Sequence, residues 1–223
     1  MDRSRFKEAL DLPLSEEQLD RFEAFETALY EANKVMNLTR VPLEEAWSRH
    51  FVDSLLFQDL IPQGATVIDI GTGPGFPAWP LACARPDLRV TALDSNGKML
   101  GFLRTQELPN LEVVQARAEE WGKREAFDVV TGRAVAPLAA QMEISAPCVK
   151  VGGLVLPMRT PGDADAITAF PAKELGLSLN RTVPRELPGG DGSRLCAVYE
   201  KVAITAAKYP RNWADMKRKP LGG

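Results

Sequence analysis

The stretch that most constrains this chain is Val67-Ile68-Asp69-Ile70 followed by Gly71-Thr72-Gly73-Pro74-Gly75-Phe76. Its β-branched and aliphatic residues predict a short buried strand. The three alternating glycines predict a tight turn whose backbone can come close to a ligand. A second strand-like run, Val90-Thr91-Ala92-Leu93, ends at Asp94. Asp94 follows Gly75 by 19 residues, close to the spacing at which a nucleotide-binding βαβ unit presents a carboxylate to ribose hydroxyls. Two strands, a glycine turn between them and an acid on each imply an adenosyl ligand.

The detail of the turn narrows the ligand. A dinucleotide fingerprint reads G-x-G-x-x-G, and Phe76 stands where its third glycine falls. The G-x-G-x-G spacing, with an acid two residues ahead, resembles the first motif of the Rossmann-like methyltransferases that use S-adenosylmethionine (AdoMet). In those enzymes the loop faces the methionine end of the cofactor, and no pyrophosphate needs cradling. Asp69, Gly71, Gly73, Gly75, Phe76, Asp94 and Ser95 are the cofactor-binding candidates on this reading.

The remaining chain suits an α/β fold of this kind. Strands are expected at 66–70, 89–93, 111–115, 127–131 and 153–157, alternating with helical runs. Two further runs near 177–183 and 195–202 have no long helix between them, which predicts an antiparallel hairpin closing the sheet. The fold class is therefore a doubly wound, mostly parallel seven-stranded sheet of five βα units with a terminal hairpin and N-terminal helices. Pro184 to Asp191 reads as a loop. Ser15 with Gln18 forms a capping-box pattern, and Leu19, Phe22, Phe25, Leu29, Ala32 and Met36 follow at helical spacing. Beyond Pro42, Ala46, His50, Phe51, Ser54 and Leu55 share one helical face. The expected organisation is an N-terminal helical segment over 1–62, a methyltransferase-like domain over 63–203 and a basic tail over 204–223.

Composition excludes several classes. No apolar run approaches about 20 residues, so no membrane span is expected, and the charged N-terminus does not read as a secretory signal. Cys83, Cys148 and Cys196 lack paired spacing and read as reduced cytoplasmic thiols. A single histidine and scattered cysteines give no metal signature. The net charge is −3, yet residues 201–223 carry six basic side chains against Asp215. Such a tail reads either as a phosphate-binding arm or as a solvated terminus.

Motifs at the strand tips supply further candidates. After the third strand, Ala118 and Glu119 stand where this fold passes the adenine ring; Glu119 could equally be the first-turn acid of a following helix. After the fourth strand, where methyl acceptors bind, amino-group methyltransferases carry Asn/Asp-Pro-Pro-Tyr/Phe. This chain has Arg133 instead. A guanidinium cannot act as a base at neutral pH, but it can hold a phosphate or a guanine edge; the alternative is a surface ion pair. Pro147-Cys148 matches the dipeptide of cytosine-C5 RNA methyltransferases, but its position past the fourth strand favours a structural cysteine.

Several segments in order resemble the glucose-inhibited division protein B (GidB) family, the bacterial small-subunit ribosomal RNA guanine-N7 methyltransferases. They are Asn37-Leu38-Thr39, the run from Arg49 to Leu55, the run from Asp69 to Pro77, Asp94-Ser95 with Lys98, Arg117 to Glu120, Arg133-Ala134, and Tyr209-Pro210-Arg211 with Lys217-Arg218. The resemblance implies AdoMet as cofactor, S-adenosylhomocysteine as product, and 16S ribosomal RNA or the small subunit as substrate. It also implies a cytoplasmic protein, read here as a monomer.

By resemblance Gly71 and Phe76 line the methionine side, Asp94 holds the ribose, and Ala118 and Glu119 flank adenine. Arg133, Lys98 and Arg117 face the acceptor guanine and the RNA, with Arg133 also near the cofactor. His50, Lys208, Arg211, Lys217 and Arg218 complete the expected RNA contacts. Ala78, Met99 and Met158-Arg159-Thr160 depart from the family pattern, which usually has Gly, a basic residue and Met-Lys-Gly there. Guanine N7 carries a lone pair and no proton, so its methylation needs positioning rather than a base. Competing readings are an AdoMet methyltransferase for another RNA or a small molecule, a non-catalytic AdoMet-binding module, and, more distantly, a dehydrogenase.

Overall fold

The computed structural model describes residues 1–222. Seven strands form one sheet: β1 (Thr66–Ile70), β2 (Arg89–Asp94), β3 (Leu111–Gln115), β4 (Phe127–Arg133), β5 (Val149–Arg159), β6 (Leu177–Glu186) and β7 (Ser193–Lys201). Their spatial order is β3-β2-β1-β4-β5-β7-β6. β1 to β5 are parallel, and β7 runs antiparallel between β5 and β6. The central strands are apolar on both faces, as Val67, Ile68, Val129 and Val130 show, because helices cover both sides of a parallel sheet. β6 extends through Pro184, which reads as loop in the sequence. It lies on the sheet edge, where the missing N–H disrupts no central ladder.

Among the described residues the helices are α1 (Arg3–Glu8), α2 (Glu16–Met36), α3 (Asp53–Leu55), α4 (Ala78–Ala84), α5 (Gly97–Leu103), α6 (Leu138–Ser145), α7 (Ala164–Ala169) and α8 (Trp213–Arg218). The Ser15–Gln18 capping box that opens α2 is formed in both directions. At its other end Asn37 takes the left-handed conformation that stops a helix. Asn33 Oδ1 accepts the Leu38 and Thr39 N–H groups at 2.6 and 2.9 Å, fixing the turn that follows. Residues 47–52 form a π-helical turn leading into α3. No helix is long and apolar enough to cross a membrane, and no cluster of metal-ligating side chains is present among the described residues.

One expectation fails between β3 and β4. Residues 116–126 cross in turns, without a helix. Gly122 and Glu125 have φ of 74° and 47°, left-handed values that a helix does not sustain. Glu119 is therefore no helix first-turn acid, and the fold has one βα unit fewer than expected.

Residues 1–62 share the core of the sheet domain. Phe6, Phe22, Phe25 and Phe51 from this segment meet Phe76, Trp79 and Phe102 across one aromatic cluster. Phe25 stacks on Trp79 with centroids 4.2 Å apart and meets Phe51, Phe76 and Phe102 edge to face. Edge-to-face and offset geometries suit the ring quadrupoles.

This packing predicts that Phe25→Ala destabilises the whole protein by about 3–5 kcal/mol, the usual scale for an emptied aromatic site. The measurement is denaturant unfolding. A lowered midpoint with an unchanged slope is expected, because the segment unfolds with the sheet.

Candidate active site

β1 lies between β2 and β4, so the chain reverses its direction across the sheet at this point. Ligands of doubly wound sheets bind in the crevice beyond the strand C-termini at such a switch. The glycine turn sits there. Gly71 and Thr72 donate N–H bonds to Leu93 O at 2.7 and 3.1 Å, and Gly75 and Phe76 donate to Thr72 O at 3.0 and 2.8 Å. Gly71 has φ 73°, and a Cβ on it would stand 2.8 Å from Val135 Cγ1. Gly75 has φ 121°, and its Cβ would stand 2.7 Å from Leu103 Cδ1. Both positions exclude side chains on conformation and on space.

Two acids hold the turn in place. Asp94 Oδ2 accepts the Gly73 N–H at 2.8 Å while Oδ1 accepts the Asn96 N–H at 2.8 Å. Asp69 is fully buried, and its Oδ2 accepts the Ala78 N–H at 3.1 Å, satisfying an orphan donor at the start of α4. Complete burial pushes the Asp69 carboxyl up to about 7, against the pull of the Ala78 N–H and the Arg133 charge.

A cavity of about 340 Å³ opens beside the turn. Gly71 and Gly73 line it from the turn, Asp94 and Ser95 from the tip of β2, and Arg117, Ala118 and Glu119 from the segment after β3. Leu93, Ala116, Val135 and Ile144 add apolar surface, and Trp213 contributes from α8. These residues fit AdoMet: side-chain-free backbone for the amino-acid end, a carboxylate for the ribose diol and an apolar slot for the base. Asp69, Gly75 and Phe76, expected as cofactor contacts, do not line this cavity. Asp69 lies beneath the turn, Gly75 faces Leu103 and Trp79, and Phe76 is buried against His50.

A second cavity of about 380 Å³ adjoins the first at Ala134, which lines both. Ala134 has φ 52°, an uncommon conformation for a residue with a side chain. Arg133 borders the second cavity. Its Nη1 donates to Asp53 Oδ2 at 2.9 Å and to Arg49 O at 3.1 Å, and its guanidinium lies 5.5 Å above the Phe76 ring. Asp53 is buried and also accepts Arg194 Nε at 2.8 Å and Nη2 at 3.3 Å. The ion pair left open for Arg133 therefore exists, but its carboxylate is shared by two guanidiniums that edge a cavity. Met158, Arg159 and Thr160, the departure from the family pattern, line it too. Burial lowers the Arg159 pKa, and its Nε has no hydrogen-bond partner.

His50, expected among the RNA contacts by resemblance, is largely buried. It is 5% exposed, stacks on Phe76 at 4.2 Å with the rings 4° apart, and its Nε2 lies 2.8 Å from Thr39 Oγ1. Burial, with Arg133 and Arg49 nearby, lowers its pKa to about 3, so the ring is neutral at physiological pH. Lys98 is exposed on α5 and lines neither cavity, while Arg117 lines the first and pairs with Glu119 at 2.7 Å. Met99 also lines the first cavity.

The tail is not a free arm. Arg211 donates Nε and Nη2 to the buried Glu143 carboxylate at 2.8 and 2.6 Å, and Tyr209 and Met216 are buried. Arg211 is thereby committed to packing, whereas Lys208, Lys217 and Arg218 remain exposed. Cys148 precedes β5 at the opposite end of the sheet, and burial pushes its thiol up to about 11. It is a structural residue. Sequence reasoning missed Asp53, Arg194 and Trp213; the one available signal was an acid and an aromatic standing in otherwise apolar or basic runs.

The chain matches the family model described as GidB, rRNA small subunit methyltransferase G, over residues 18–184. It is 36% identical over 223 residues to the ribosomal RNA small subunit methyltransferase G of Lactobacillus helveticus, covering 93% of each chain. The protein of the same name from Exiguobacterium sibiricum is 35% identical over 238 residues, covering 100% of each. Among solved structures, M. jannaschii TYW2 in complex with AdoMet has a TM-score of 0.56 at 18% identity, covering 70% of this chain and 78% of that one. A TehB-like AdoMet-dependent methyltransferase from Corynebacterium glutamicum has a TM-score of 0.55 at 16% identity, covering 78% and 98%. These structures share the fold of AdoMet-dependent methyltransferases.

Two outcomes are expected at this site. Gly71→Ala should weaken AdoMet binding at least tenfold by calorimetry, because the new methyl meets Val135 and the φ is unfavourable. For His50, the folded pKa lies below the unfolded value of about 6.5, so the unfolded state binds more protons between the two. The stability advantage of the wild type over His50→Gln should be complete above pH 6.5. It should shrink by up to about 1.4 kcal/mol per pH unit as the pH falls toward 3, measured by urea unfolding across that range.

Proposed function

The chain belongs to the GidB family of small-subunit ribosomal RNA methyltransferases, and from this membership we propose that it transfers a methyl group from AdoMet to N7 of a guanine in 16S ribosomal RNA. The observation that carries this reading is the pair of adjoining cavities with Ala134 between them and Arg133 at the border. The first takes the cofactor, through Gly71, Gly73, Asp94, Ser95, Ala118 and Glu119. The second takes the acceptor base.

AdoMet supplies a sulfonium methyl that a nucleophile can attack directly. Guanine N7 has a free lone pair, so no residue has to remove a proton. The neutral, tethered His50 fits that requirement. The work left to the protein is alignment. Asp53 holds Arg133 and Arg194 at fixed angles, leaving guanidinium edges for the phosphate or the O6 edge of the target nucleotide. Arg159, with a buried N–H lacking a partner, adds a third donor group to the same cavity. Lys98, Arg117, Lys208, Lys217 and Arg218 supply exposed charge for phosphates outside the site.

Within this reading, 1–62 completes the acceptor cavity through Arg49, His50 and Asp53, 63–203 provides the catalytic domain, and 204–223 is a packed basic extension. The substrate is the RNA or the small subunit, and the protein works as a cytoplasmic monomer.

The test is methyl transfer from labelled AdoMet to 16S ribosomal RNA, followed by chemical mapping of N7-methylguanosine. Label on a different base atom, or none on RNA from a protein that binds AdoMet, overturns the assignment. Arg133→Ala should reduce transfer more than tenfold, about 1.4 kcal/mol in the barrier, with the fold intact. Arg133→Lys should recover only part of it, because an ammonium lacks the planar fork that bonds Asp53 and Arg49 O from one nitrogen and turns another toward the substrate. AdoMet affinity, measured separately, separates a lost acceptor contact from a lost cofactor contact.

A further inference from the structure

The C-terminal segment is held against the body at successive points. Lys201 Nζ, buried, donates to Ala146 O at 2.7 Å and Leu175 O at 3.2 Å and also meets Thr205 Oγ1. Arg124, from the loop before β4, donates to Thr205 O at 2.6 Å and Tyr209 O at 2.7 Å. Arg211 then clasps Glu143 on α6 through three bonds, one from its backbone N–H at 2.8 Å and two from its guanidinium. Its Nη1 donates to Lys219 O at 2.9 Å, closing the segment on itself across α8. Asn212 Oδ1 caps α8 by accepting the Asp215 N–H at 2.9 Å.

Glu143 precedes Ile144, and Ile144 lines the first cavity beside Trp213. Trp213 is the first residue of α8 and is half-buried. The other apolar groups there are aliphatic or, in Met99, a thioether, among them Leu93, Ala116, Ala118 and Val135, so Trp213 is the one aromatic side chain of the lining among the described residues. A tryptophan at the edge of an apolar slot offers a large aromatic face to a purine and a donor at its rim.

We infer that Trp213 is a wall of the AdoMet site at the adenine end, and that residues 205–219 form a strap whose function is to place it there. The inference rests on the first cavity being the cofactor site. Trp213 is then a binding residue, and Glu143 and Arg211 are positioning residues that act through it. A carboxylate buried to 1% exposure on α6, fully used by a single arginine of the tail, is otherwise unexplained by the chemistry of either cavity.

The experiment compares full-length wild type, Trp213→Ala, Trp213→Phe and Asp94→Ala. AdoMet affinity is measured by calorimetry, and tryptophan emission is followed during the titration. Trp213→Ala should weaken AdoMet at least tenfold with the ligand-free melting temperature nearly unchanged, and Trp213→Phe should stay within threefold. AdoMet should quench the wild-type emission, and that quench should be lost in Trp213→Phe. An undiminished quench in Trp213→Phe, or a folded Trp213→Ala that binds within twofold of wild type, overturns the inference. If Trp213→Ala does not fold, the Trp213→Phe quench decides. Weak binding by Asp94→Ala alone keeps the site and rejects the strap, whereas normal binding by Asp94→Ala rejects the site itself.

Discussion

The turn between β1 and α4 has no room for side chains at Gly71 and Gly75, and the layers of the fold meet at that shortage of space. A Cβ at Gly71 would strike Val135, which follows β4, and a Cβ at Gly75 would strike Leu103 on α5. Backbone is thus packed directly against two neighbouring elements at the sheet's switch point. The close approach leaves the turn's remaining faces open to ligand and sets the boundary of the first cavity. Phe76, the next residue, carries the same constraint outward. It packs into the aromatic cluster built by the N-terminal helices and forms the surface on which His50 and Arg133 rest. The N-terminal segment therefore reaches the site through this ring and through Arg49 and Asp53, which bond Arg133.

Charge is distributed around that ring by burial. Asp53 is buried, and two guanidiniums share it, so neither arginine is free to collapse onto a different partner. A buried carboxylate with several charge-assisted bonds fixes geometry more than it adds stability, since desolvation offsets much of the attraction. His50 beside them is kept neutral by burial and by the charges of Arg133 and Arg49. The outcome is a cavity whose guanidiniums are held on a buried carboxylate and whose imidazole, with its pKa lowered to about 3, is a poor proton acceptor, which suits a nucleophile that carries no proton.

Much of the architecture follows from local pattern. Seven strand windows, the Ser15 cap and the apolar face of α2 were legible because period and capping are properties of neighbouring residues. The tip acid Asp94 and the glycine turn were legible for the same reason: a sharp turn after a strand favours glycine where φ is positive. The missing helix after β3 was not, because Gly122 and Glu125 adopt left-handed conformations that only the assembled turn selects. The family resemblance reached the cofactor and the reaction, since those are carried by short ordered motifs.

What only the tertiary structure decided is which side chains face one another. His50 and Lys208 are both basic letters in a sequence, yet one is buried against Phe76 and the other stands in solvent. Asp53 and Arg133 are 80 residues apart, and Glu143 and Arg211 are 68 apart. No local propensity encodes those pairs. They exist because the chain returns to the same crevice from different directions, and burial then makes each ion require its partner. The sequence by itself determined the sheet, the turn and the acid at the strand tip, all set by neighbours along the chain. The acceptor cavity and the packed tail arise from distant residues whose meeting is a consequence of folding.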